Sequence, residues 1–148
     1  MDSDHGGFRA KETIKKYLEG AGYRVEDVGT RSTKSVDYPD YANAVGERAV
    51  AGNDTLGVLA CARGIGVSIA ANKKVEGIRA AVAHDSLTAR RAREHNDADV
   101  IALCGKVVGE DEAIAIVQEF LGAEFAGGRH QRRIDKISEM DRVRELQS

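Results

Sequence analysis

Cys61 is the residue of this sequence whose type and position best suit catalysis. It follows a short apolar run at 56–60 that reads as a buried strand, and Gly64 and Gly66 separate it from a helical segment at 67–74. A turn between a strand and a helix presents backbone N–H groups and the positive end of the helix dipole, which together bind anions. A cysteine there can be a thiolate base or nucleophile. The alternative is a small buried residue that ends a strand, and on position alone the two readings are evenly balanced.

Three further residues with useful side chains lie near the ends of predicted helices. Asp4 and His5 precede a helical pattern at 8–19. Asp4 there is equally well an N-cap, and His5 taken alone is a surface residue. His95 follows a later helical pattern, where a histidine is more often a cation that complements the helix dipole. Local pattern leaves these alternatives open.

Apolar runs and helical patterns alternate along the chain. The sequence predicts strands at 24–28, 56–60, 78–83 and 100–104, and helices at 8–19, 41–51, 67–74, 86–94, 110–120 and 129–145. Such alternation predicts a parallel sheet with helices on both faces, a doubly wound, Rossmann-like three-layer α/β sandwich. Residues 1–148 have the length of a single domain. The last helix has only a narrow apolar stripe, so we expect 129–148 to pack on a partner subunit.

Composition excludes several classes of protein. The chain has 148 residues, 42% of them apolar, and a formal net charge of −2, so no basic field favours nucleic acid. Cys61 and Cys104 both end predicted strands and match neither a disulfide framework nor a zinc site, which favours a reducing, cytoplasmic setting. No apolar run is long enough to span a bilayer, and no signal peptide opens the sequence. We therefore expect neither nucleic acid nor membrane as a partner.

Six motifs resemble, in order and spacing, those of type B ribose-5-phosphate isomerase, within a wider group that includes the galactose-6-phosphate isomerase subunits. The motifs are SDHGGF, DYPDYA, CARGIGVSIAANK, GIRAAVAHD, AREHNDADV and GGRHQRR. The resemblance covers nearly the whole chain. It implies a Rossmann-like fold, a homodimer or sometimes a tetramer, active sites shared across the dimer interface, and neither metal nor cofactor. It also implies that ribose 5-phosphate and ribulose 5-phosphate interconvert through an enediolate.

The same resemblance implies a role for each matching residue. Cys61 matches the base that takes the C2 proton, and His95 matches the residue that assists ring opening, a task suited to a side chain that titrates near neutral pH. Backbone N–H groups of the turn after Cys61 would stabilise the enediolate oxygen. The substrate-binding positions are Asp4, His5, Ala62, Arg63, Gly64, Ile65, Gly66, Asn96, Lys106, Arg129 and Arg133.

Arg129 and Arg133 match the arginines that bind phosphate, and they are expected to reach the partner subunit's site. Their i, i+4 spacing places both on one face of the last helix, and guanidinium groups bind phosphate through paired N–H bonds. Without the resemblance, such a cluster reads as a solvated charged face. Lys106 stands where the family usually has arginine. His84 and His130 are assigned structural or surface roles by default.

The chain departs from the family pattern at two places. Ala62 and Arg63 replace the Gly–Thr pair of the family's C-G-T-G-[IV]-G loop, so Arg63 is expected to assist ionisation of Cys61, to bind an anionic group or to block the pentose site. Only residues 1–3 precede the Asp–His pair, so the first strand is expected to be truncated or very short.

These departures keep alternative functions open. One is an isomerase for a hexose 6-phosphate, and another is a catalytically weak protein of the same fold that binds sugar phosphates. A nucleotide-binding Rossmann protein ranks last, because no G-x-G-x-x-G follows the first strand.

Overall fold

The computed structural model describes residues 1–3 and 7–148, with the side chain of Asp2 outside the description. The described residues form one parallel sheet in the order β1-β2-β4-β3. Its strands are β1 Asp2–Ser3, β2 Gly57–Cys61, β3 Ala80–Ala83 and β4 Val100–Cys104. The helices are α1 Phe8–Gly20, α2 Tyr38–Ala51, α3 Ile65–Lys74, α4 Ser86–Asn96, α5 Glu110–Gly122 and α6 Arg129–Gln147.

The sheet separates two apolar cores. Every residue of β2 and of β4 is buried, as expected for parallel strands covered on both faces. Side chains of a strand alternate between faces, so Ile101 and Leu103 enter a core with α1, α4 and α5, whereas Val100 and Ala102 enter a core with α2 and α3. The predicted three-layer sandwich is therefore confirmed.

The strand predicted at 24–28 is wrong, because residues 23–28 form no strand. The segment runs beside the start of the chain, where the Met1 amino group donates to the Glu26 carbonyl at 2.6 Å and the Val28 N–H donates to the Met1 carbonyl at 3.1 Å. With only two residues, β1 offers too short an edge for another strand to pair along it.

A buried lysine on α1 holds the loop that contains Asp27 and Thr30 against this helix. Lys11 has a fully buried side chain, and its Nζ donates to both carboxylate oxygens of Asp27 at 2.9 Å and to the Thr30 carbonyl at 2.6 Å. Burial by itself raises the pKa of Asp27, but hydrogen bonds from Lys11 and from the Gly29 N–H lower it below its usual range. This ion pair fixes the segment that leads into α2.

Helix α6 lies along the edge of the sheet where the strands begin. His130 and Ile134 are its buried residues, and near its other end the Asp141 carboxylate accepts from the Gly77 N–H at 3.0 Å. Its other large apolar side chains are exposed, namely Ile137, Met140, Val143 and Leu146. Among the described residues, no helix combines the length and apolar character that crossing a membrane requires.

Candidate active site

Cys61 ends β2 at the carboxyl edge of the sheet, where parallel α/β sheets bind their ligands. Its side chain is 7% exposed and packs in the core beneath α2 and α3. Two bonds from β4 and the residue after it hold this strand end in place. The Gly105 N–H donates to the Cys61 carbonyl at 2.7 Å, and Cys104 Sγ donates to the Ala62 carbonyl at 3.0 Å.

The turn after Cys61 delivers the chain directly into α3. Gly64 is the N-cap residue, with a left-handed backbone at φ 76° and ψ −14°, and a Cβ there would lie 3.1 Å from the Leu103 carbonyl oxygen. No side chain of the described residues caps α3, and its first turn holds no acidic residue. As far as the described residues go, the N–H groups of Ile65 and Gly66 are therefore open to an anionic ligand.

Tyr38, the first residue of α2, packs its phenol against the first turn of α3, and sequence reasoning did not select it as a site residue. A Cβ at Gly66 would come within 2.8 Å of the Tyr38 hydroxyl oxygen, so Gly66 is required because the phenol packs on it. The Tyr38 side chain is partly exposed at 39%. The signal available in the sequence was an aromatic residue within the DYPDYA motif.

His95 and Asn96 lie at the opposite edge of the sheet. Helix α4 starts after the carboxyl end of β3 and runs back, so that the Asn96 carbonyl accepts from Nε of Arg79, just before β3, at 3.0 Å. The four residue steps of β2 alone span about 13 Å. One chain therefore does not bring His95 and Cys61 together.

His95 belongs to a cluster of basic groups. Its ring stacks on that of His130, with centroids 4.2 Å apart and planes at 14°, and Nη1 of Arg91 lies 3.2 Å from its Nε2. A guanidinium only donates, so this contact is a hydrogen bond in the tautomer whose Nε2 accepts. Burial lowers the pKa of His130, and the neighbouring His95, Arg129, Arg133 and Arg91 lower it further.

The remaining predicted residues divide between the two edges. Lys106 is exposed in the turn after β4, and Arg63 is exposed in the turn after β2, both at the carboxyl edge. Arg129 and Arg133 are exposed on the first turns of α6, beside His95. Asp4 and His5 lie outside the described residues.

Ser68, on the first turn of α3, has a structural role. Its hydroxyl donates to the Ile65 carbonyl at 2.8 Å, within the first turn of α3. The hydroxyl therefore bonds to the backbone of its own helix.

A cavity of about 730 Å³ lies away from Cys61, at the edge where the strands begin. Met1, Leu56, Gly57 and Val58 are among its lining residues. It adjoins the two-residue β1, and it contains none of the predicted catalytic groups. Among the described residues, no cluster of three or more His, Cys, Asp or Glu is placed to hold a metal ion.

The fold and the site define a parallel α/β sandwich protein whose Cys61 ends a central strand directly before a helix N-terminus, a position suited to anions, and comparison with known proteins identifies the family. The profile described as Ribose/Galactose Isomerase matches residues 1–137. The chain is 43% identical over 141 residues to ribose-5-phosphate isomerase B of Escherichia coli K12, covering 95% of this chain and 94% of that protein.

Solved structures agree with this match. Ribose-5-phosphate isomerase B of Clostridium thermocellum superposes with a TM-score of 0.92 at 50% identity, covering 96% of this chain and 95% of that one. The Mycoplasma genitalium enzyme with bound ribulose-5-phosphate gives 0.90 at 41% identity, covering 95% of this chain and 93% of that one. The chain belongs to the ribose/galactose isomerase family of sugar-phosphate isomerases, as the motifs predicted.

Proposed function

We propose that this protein interconverts ribose 5-phosphate and ribulose 5-phosphate, with Cys61 as the base. The observation that carries the proposal is the placement of Cys61 at the end of β2, directly before an α3 N-terminus that no side chain of the described residues caps. The ribulose-5-phosphate bound by the Mycoplasma genitalium relative supports this choice of substrate. No metal or cofactor is required, since a thiolate and backbone N–H groups supply the chemistry.

The reaction moves one proton between neighbouring carbons. The Cys61 thiolate takes the proton from C2 of the open-chain aldose, and the electron pair of that bond moves to the carbonyl oxygen at C1. The resulting enediolate oxygen accepts hydrogen bonds from N–H groups of residues 63–66, aided by the dipole of α3. The O2 hydroxyl then gives up its proton while O1 takes one, and return of the proton from Cys61 to C1, with the carbonyl now formed between C2 and O2, gives the ketose.

Two protomers complete each site in this proposal. His95 opens the sugar ring at the partner subunit's Cys61, and Asn96, Arg129 and Arg133 bind the sugar and its phosphate there. The separation of Cys61 and His95 to opposite edges of one sheet supports such an arrangement. The exposed apolar stripe of α6 supports a homodimer, because an unpartnered apolar face favours association. A tetramer and a cytoplasmic location remain predictions.

Arg63 supports a second candidate function. Its guanidinium is exposed and has no hydrogen-bond partner among the described residues, at the position where the family has threonine. A hexose 6-phosphate, or binding without turnover, is the alternative that this cation favours. Replacing it by Arg63→Thr should raise turnover of ribose 5-phosphate if the guanidinium obstructs the pentose.

Hybrid dimers give the sharpest test. Cys61→Ala and His95→Ala should each be nearly inactive, whereas mixing them after reversible dissociation should restore about a quarter of the wild-type rate, because half of the dimers then hold one intact site. The assay is ribulose 5-phosphate formation. A mixture as inactive as its parents would reject the two-chain site, and full activity of Cys61→Ala would reject the base.

A further inference from the structure

We propose that Cys61 and Cys104 form a reversible intramolecular disulfide, so that a peroxide switches the isomerase off. The formation of this bond stands on the geometry of the two strands alone. Its effect on turnover rests on the proposed function of Cys61. Cys104 has no task in the proposed mechanism, and the geometry gives it one.

The two cysteines are direct partners across the sheet. Cys61 of β2 pairs with Cys104 of β4 in the parallel register. Neighbouring strands lie about 4.8 Å apart. This spacing falls within the range of about 4.4 to 6.8 Å between the Cα atoms of disulfide-bonded residues. The backbone therefore already holds the two residues at bonding separation.

The two side chains also share one face of the sheet. The preceding pair on the same face, Leu59 and Ala102, enters the core with α2 and α3. Side chains two residues further along a strand return to that face, so both thiols lie on this side. Cys61 is itself part of that core.

Cys104 already extends toward β2. Its Sγ donates, at 3.0 Å, to the carbonyl of Ala62, the residue that follows Cys61. A thiol is a weak donor, so giving up this bond costs little compared with the formation of a covalent bond. The Gly105 N–H bond to the Cys61 carbonyl ties the two strand ends together and limits any separation of the thiols.

Hydrogen peroxide is the oxidant of the right size. Cys61 and Cys104 are only 7% and 5% exposed. A small peroxide can therefore reach their sulfur atoms more easily than a bulky disulfide reagent can. The Cys61 thiolate attacks one peroxide oxygen, the O–O bond breaks, and after protonation a sulfenic acid and water result. The Cys104 sulfur then attacks the Cys61 sulfur, the S–O bond breaks, and the second water leaves with the thiol proton.

The test is stoichiometric peroxide treatment of the reduced, full-length protein. Intact-mass and peptide mass spectrometry should show the loss of two hydrogen atoms and a cross-link between the peptides that contain Cys61 and Cys104. Turnover should fall about a hundred-fold or more with the loss of the base and recover on addition of dithiothreitol. Bound sugar phosphate should slow the reaction by covering Cys61.

Cys104→Ser is the matched control, because it keeps a donor for the Ala62 carbonyl. It should turn over substrate normally when reduced and, with one equivalent of peroxide, gain one oxygen atom at Cys61 without a cross-link. With excess peroxide it should reach the sulfinic acid, which dithiothreitol does not reduce, whereas the wild-type disulfide should stay recoverable. A wild-type protein that gains oxygen without a cross-link, or that cross-links between chains, would overturn the disulfide. A disulfide that leaves turnover intact would overturn the switch and the base together, whereas a reduced protein without turnover would overturn only the proposed function.

Discussion

The β2–α3 and β4–α5 junctions start alike and end differently. Both follow neighbouring, fully buried strands that end in cysteines paired in register. After Cys61 the chain enters α3 within residues 62–64, through a left-handed Gly64. After Cys104 it takes the longer turn 105–109 before α5, and its N-cap Gly109 has an ordinary extended backbone with φ −66°.

The charges at the two helix starts differ most. The first turn of α5 carries Glu110, Asp111 and Glu112, which satisfy the positive end of its dipole and would repel an anion. The first turn of α3 carries no acid. Of two cysteines with the same strand position, only Cys61 therefore adjoins a helix start that favours an anionic intermediate. A strand-end cysteine alone is not a site, and the following turn decides which of the two can be one.

Removing the thiol at each junction should give the largest difference in kcat between the two junctions. Cys61→Ala should lower kcat by about 10²- to 10⁴-fold, the usual contribution of a positioned base. Cys104→Ser should retain kcat within about threefold, since no step uses its sulfur. Steady-state isomerase assays measure both variants. Comparable losses would show that the two junctions are functionally alike.

Adding a methyl group to each N-cap glycine should separate the junctions next. Gly64→Ala should reduce the free energy of unfolding by about 1 to 3 kcal/mol, because a left-handed alanine is strained and its Cβ would press on the Leu103 carbonyl. Gly109→Ala meets nothing within 4 Å and should change it by less than about 0.5 kcal/mol. Urea denaturation measures both, and equal effects would argue against a strained α3 entry.

A carboxylate placed at each junction should then have unequal effects. Ile65→Glu puts a negative charge on the first residue of α3 and should lower kcat/KM by about five- to tenfold through competition with the anionic substrate. Val107→Glu, at a side chain that is 79% exposed in the other turn, should change it less than about twofold. An unaffected Ile65→Glu variant would mean that the substrate does not use this helix start.

Neutralising an acid of α5 should have the smallest effect. Glu110→Gln should cost about 0.3 to 1 kcal/mol in the free energy of unfolding, since the carboxylate complements the dipole, and kcat/KM should stay unchanged. Thermal denaturation at low and high salt measures the loss, which should shrink as salt screens the charge. A change in kcat/KM would indicate that α5 also takes part in substrate binding.

Prediction from sequence succeeded where the signal was local. The apolar strands and amphipathic helices were placed within a few residues, and α2 begins earlier than predicted, at Tyr38, with proline in its first turn. The prediction of a strand at 24–28 was wrong because polar and apolar residues alternate there as in a strand, but the two-residue β1 is too short to pair with it. The roles of Cys61 and His95 stay predictions until activity is measured.

The residues by themselves determined that Cys61 ends a buried strand before a glycine turn and a helix, since periodicity and turn chemistry act within a few positions. They also determined the family, through motifs along most of the chain. Tertiary structure alone decided that β4 inserts between β2 and β3, which pairs Cys61 with Cys104, and that α4 carries His95 to the far edge. Strand order depends on how whole layers pack, and no local pattern encodes it.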